Sequence, residues 1–109
     1  MSPDLSDVSK ITDMAGVRAG IDAIDEQLVA LLGARLAHIR RASEIKSTVS
    51  QARVPWRVED VVTKVKAAAE KNGFDADLAE EIWRHMIECC IAFEERKLAA
   101  RADGLNDGG

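Results

Sequence analysis

VRAGIDAIDEQLVALLGARLAHIRRASEIK, running from Val17 to Lys46, decides the fold of this chain. It has no proline, and its only glycines are Gly20 and Gly33. Apolar residues recur at Val17, Ile21, Ile24, Leu28 and Leu31, alternately four and three apart. That is the period of one buried helical stripe. Continued by the same steps, the stripe lands on Arg35, His38 and Ala42. An arginine thus stands where a core residue is expected. A charge there calls for a partner, because desolvating it unpaired costs several kcal/mol.

From Asp13 to Lys46, at ~1.5 Å per residue, the segment makes a rod of roughly 50 Å. Arg35 and Lys46 are 11 residues apart, about three full turns, and so share a face with Cα atoms roughly 16 Å apart. Two long cationic side chains at that spacing can bracket a small dianion. Arg18 lies 17 residues before Arg35, about 25 Å up the rod and on another face. It joins the same ligand only from a second copy of the chain packed antiparallel.

One domain is the expectation for 109 residues. Composition is 47% hydrophobic, 4% aromatic and 31% charged. Abundant Ala, Leu, Glu, Lys and Arg point to an all-α fold. So long a rod cannot bury its stripe within so small a monomer, so a homodimer is expected. The net charge of -4 and the pI of about 5.1 argue against nucleic acid as the main partner. No apolar run approaches the ~20 residues that span a bilayer. The start, MSPDLSDVSK, lacks the basic and apolar regions of a signal peptide, which makes cytoplasmic the default location. Adjacent Cys89 and Cys90 in a helical pattern are poorly placed for a mutual disulfide and read as reduced and buried.

Residues 1–12 read as a flexible N-terminus, 13–101 as the helical domain and 102–109 as a flexible tail. Asp13 or Thr12 caps the first helix, which is expected to end near Ser47 or a few residues later. Ser47 to Pro55 is a loop, and Pro55 suits the first turn of a second helix. That helix carries Val58, Val61, Val62 and Val65 on one side and stops at Asn72-Gly73. Asp75 caps a third helix. Its stripe reads Leu78, Ile82, Met86, Cys90 and Phe93, with Trp83 and Ile87 alongside, and it lasts to about Ala100.

The chain carries no phosphate loop, dinucleotide glycine pattern or nucleophile motif. His85 and Cys89, four apart, are two metal ligands at most, so no metal site is expected. His38 reads as a packed or interface histidine. Catalysis without metal, cofactor or nucleophile works by positioning and electrostatics. Arg18, Arg35, Lys46 and Arg57, at steps of 17, 11 and 11, supply the charges. The plainer reading, a solvated or interface charge, suits Arg18 or Arg57 taken singly, and suits Arg35 least.

This pattern resembles the all-helical chorismate mutase family, including its isochorismate-pyruvate lyase relatives of salicylate and siderophore synthesis. The residues that carry the resemblance are VRAGIDAIDEQLVALLGARL, Ile45-Lys46, PWRV at Pro55 to Val58, Asn72-Gly73 and IAFEERK, over about residues 14 to 98. It implies three helices per protomer, one of them very long, in an intertwined homodimer with two shared active sites and no cofactor. It implies that Arg35, Lys46 and Arg57 of one chain and Arg18 of the other bind the carboxylates and ether oxygen of a dianionic substrate. Lys46 would contact the ether oxygen and a carboxylate. Glu94 falls where the family has Gln or Glu beside that oxygen, and Cys90 at a small polar pocket position. Val17 and Ile39 would be pocket walls. The chain departs from many mutases in placing Val58, with Glu59 one later, where a glutamate directly follows the second-helix arginine. Its loop from Lys46 to Arg57 is also one residue shorter. Both departures lean toward the lyase branch.

The activity implied is the rearrangement of chorismate to prephenate in aromatic amino-acid biosynthesis. The same pocket would serve an isochorismate-pyruvate lyase. From another class, a non-catalytic helical dimer would merely bind a metabolite.

Overall fold

A computed structural model describes residues 5–46 and 49–107. Three α-helices make the architecture: α1 Met14–Ile45, α2 Pro55–Lys71 and α3 Ala76–Asp107. A short 3-10 turn, Val49–Ala52, lies between α1 and α2. No strand occurs among the described residues, so the expected all-α, three-helix class holds. The long first helix has an equal, however, since α1 and α3 each hold 32 residues.

The helix ends follow from side-chain chemistry. Asp13 caps α1, its Oδ1 accepting the Gly16 N–H at 2.8 Å. Asp75 caps α3 in the same way, accepting the Leu78 N–H at 2.8 Å. Pro55 opens α2 behind an extended Val54, with φ −124° and ψ 95°. Asn72-Gly73 closes it: the Phe74 N–H reaches back to the Ala69 carbonyl at 2.8 Å, and Gly73 takes φ +71°. Only glycine adopts that left-handed backbone without a Cβ penalty.

The chain divides into two compact units, Met1–Ala37 and His38–Gly109. In the first, Leu5, Val8 and Ile11 line a shallow hollow with Val17, Ile21 and Ile24 of α1. Asp7 holds the turn there, accepting the Ser9 hydroxyl at 2.7 Å. The α1 stripe itself stays largely uncovered, with Ile21, Leu28 and Leu31 at 52%, 50% and 68% exposure.

In the second unit α2 packs on α3 around Ala52, Val62, Ile87, Ile91 and Leu98, with Val58, Val61 and Trp83 against them. The buried line of α3 is Ala79, Ile87, Ile91, Glu94 and Leu98, with half-buried Trp83 on the same line. This corrects the stripe expected from the sequence by one residue, or about 100° of rotation. Leu78 and Ile82 lie exposed instead. Ala79, one position after Leu78, is fully buried. The α3 helix also runs past Ala100 through Asp107, since ARAD has no helix breaker. The expected end of α1 near Ser47 lies outside the described residues; the assigned helix stops at Ile45.

Candidate active site

The C-terminal end of α1 leads into the first candidate side chain. The Lys46 N–H closes the last helical turn on the Ala42 carbonyl at 2.9 Å. From there the Lys46 side chain crosses to α3, where Nζ donates to Glu94 Oε1 at 2.7 Å. Glu94 sits on the buried line of α3, between Ile91 and Leu98. Its side chain is 7% exposed and that of Lys46 24%. The fold thus joins two of the three residues expected to be catalytic. Lys46, which the resemblance aims at the substrate, has a protein partner as well.

Arg57 takes the first turn of α2, exposed, with Nη1 donating to Asp60 Oδ2 at 2.6 Å. Lys64 and Arg57, both bonded to Asp60, hold that carboxyl below its ordinary range. Val58 turns inward onto the apolar core. Glu59, one residue on, is rotated about 100° away, and both its oxygens are taken by Arg84, at 2.8 and 2.9 Å. Glu59 is therefore committed to the α2–α3 contact and does not stand in for the missing glutamate. Cys90 lies half-buried one turn before Glu94. Both cysteines are free thiols, but Cys89 is exposed, so the expected burial fails for it: position 89 falls off the buried line.

In the first unit Arg18 is exposed and Arg35 half-buried on α1, and Val17 is half-buried. Ile39, in the second unit, is half-buried and His38 exposed. The Cys89 Sγ and His85 Nε2 lie 3.8 Å apart. Among the described residues no three His, Cys, Asp or Glu side chains gather where they could hold a metal ion. No described helix is long and apolar enough to cross a membrane.

Sequence reasoning missed two arginines that shape this region. Arg53 donates to both oxygens of Glu88, at 2.9 and 2.7 Å, tying the segment before α2 to α3. Arg101 donates to the carbonyls of Ser43, at 2.7 Å, and Lys46. The signal for Arg101 was present in the sequence: Glu94, Leu98 and Arg101 continue one helical line at steps of four and three.

In the second unit a half-buried lysine is thus paired with a buried carboxylate at a helix end, within an all-helical protein. The chain matches the chorismate mutase type II family over residues 17–95, a range that contains Arg18, Arg35, Lys46, Arg57, Val58, Cys90 and Glu94. It belongs to that family. It is also 33% identical, over 81 residues, to the isochorismate pyruvate lyase of Pseudomonas aeruginosa, covering 74% of this chain and 80% of that one. Both findings make it a relative of enzymes acting on small molecules.

Proposed function

We propose that this protein is a chorismate mutase, converting chorismate to prephenate as a cytoplasmic homodimer without cofactor. The observation that supports this most is the Lys46–Glu94 pair, a cation and a carboxyl held together on an otherwise apolar face. In the rearrangement the ether C–O bond breaks as a C–C bond forms, and negative charge grows on the ether oxygen. Lys46 stabilises that charge, and Glu94 donates to the same oxygen when it carries a proton. Arg35, Arg57 and the partner subunit's Arg18 take the two carboxylates and confine the flexible dianion in its reactive diaxial shape. Cys90 and Val58 line the pocket.

A second reading, isochorismate-pyruvate lyase, is favoured by the similarity to the Pseudomonas enzyme and by Val58, which has no group to read the substrate hydroxyl. Purified protein assayed side by side with chorismate and isochorismate decides between them. Prephenate formed at the higher kcat/KM supports the mutase, and faster pyruvate release from isochorismate the lyase. No turnover of either leaves the non-catalytic metabolite-binding dimer.

A further inference from the structure

The last carbonyls of an α-helix have no partner within the helix. At the end of α1 two of them, Ser43 and Lys46, are taken by one guanidinium, that of Arg101 on α3. Its positive charge also lies at the negative end of the helix dipole. Arg101 stands seven residues after Glu94, two turns or about 10.5 Å along α3. Buried Leu98 lies between them on the same line. One face of α3 therefore holds Lys46 twice: Arg101 takes its carbonyl and Glu94 its ammonium group.

We propose that Arg101 is a positioning residue, which fixes the backbone of Lys46 so that its ammonium group is delivered to Glu94 and to the substrate. This rests on the reading of Lys46 as catalytic given above. A flexible four-carbon side chain reaches a defined point only if its Cα is held, and a displacement of ~1 Å at a reacting group can cost about 100-fold in rate. The planar fork of arginine suits two carbonyls at once. A lysine there would reach one.

The test compares wild type with Arg101→Met, Arg101→Lys, Lys46→Met and the double variant Lys46→Met/Arg101→Met. We expect Arg101→Met to lower kcat at least tenfold with KM for chorismate changed less than threefold. Arg101→Lys should recover part of that loss, and it remains informative if Arg101→Met does not fold. The double variant should be no slower than Lys46→Met alone, because Arg101 acts through Lys46. Wild-type kcat in Arg101→Met, or losses that multiply in the double variant, would overturn the proposal. NMR of the Lys46 ammonium supplies a readout that needs no turnover. Its hydrogens should exchange slowly in wild type and rapidly in both Arg101→Met and Glu94→Ala. Slow exchange kept in Arg101→Met would also overturn it. If neither substrate turns over, the functional reading falls and the exchange measurement still decides the role of Arg101.

Discussion

Lys46 Nζ and Glu94 Oε1 meet at 2.7 Å on a line of α3 otherwise made of Ile87, Ile91 and Leu98. Neither charge is cheap to hold there. Removing one partner of a fully buried pair typically costs ~3–5 kcal/mol, because the other charge is left uncompensated. The cost is smaller here, since Lys46 keeps 24% of its side-chain surface in water.

Lys46→Met should therefore lower the melting temperature at neutral pH by several degrees, at ~4–8 °C per kcal/mol, and remove most activity. Adding Glu94→Gln to it should recover the melting temperature without the activity. Glu94→Gln alone should keep substantial activity near pH 7.5, because an amide donates to an ether oxygen at any pH. Thermal melts and steady-state rates on the three variants check this. A Lys46→Met protein as stable as wild type would remove the pair from the stability argument.

Shared active sites make a sharper claim. Arg18 and Arg35 lie 17 residues apart on α1, about 25 Å by helical rise. Arg18→Ala and Arg35→Ala homodimers should each be inactive. After subunit exchange at equal concentrations half the dimers are mixed, each with one intact site, so activity should return to about a quarter of wild type. Proven exchange without recovery would rule out sharing between subunits.

In the proposed dimer the uncovered stripe of α1 would form the interface. Leu28→Glu, at a position 50% exposed in the single chain, should leave the helical circular dichroism unchanged. Sedimentation should show a shift to monomer, and activity should fall with it. A dimer that persists would place the interface elsewhere.

Ala79 is fully buried on α3. Ala79→Leu should destabilise by ~1–3 kcal/mol through overpacking, measured by urea denaturation. Leu78→Ala, one position away and exposed, should cost well under half of that.

The ion network over the α2–α3 contact gives a pH dependence. Hydrogen bonds from Arg84 hold Glu59 and, with Lys66, Glu80 below the ordinary carboxylate range. Arg53 does the same for Glu88. Such groups bind protons more weakly folded than unfolded. Their contribution is present above the unfolded value and is lost as pH falls through the folded one. The melting temperature should drop between about pH 5 and pH 3, and less so in Arg84→Met. The effect is modest because these groups are exposed, and 1 M salt should shrink it.

Much of this protein was legible in its sequence. Asp13, Pro55, Asn72-Gly73 and Asp75 mark the helix boundaries because caps and stops are local chemistry, settled within four residues of chain. The four-and-three spacing of α1 marks a helix and an apolar stripe, and the motif residues from Arg18 to Glu94 carry the family. Three features needed the tertiary structure. The buried line of α3 is one residue off the expected one, because α3 carries apolar residues on two adjacent lines and packing against α2 buries the one with Ile87, Ile91 and Leu98. Lys46 proved to be paired, because its partner is 48 residues away in the chain. Arg101 continues the line of Glu94 and Leu98, but the carbonyls it takes lie 58 and 55 residues away in the chain. Periodicity reports that a face is apolar, whereas packing alone chooses between two such faces and brings distant charges within hydrogen-bond reach.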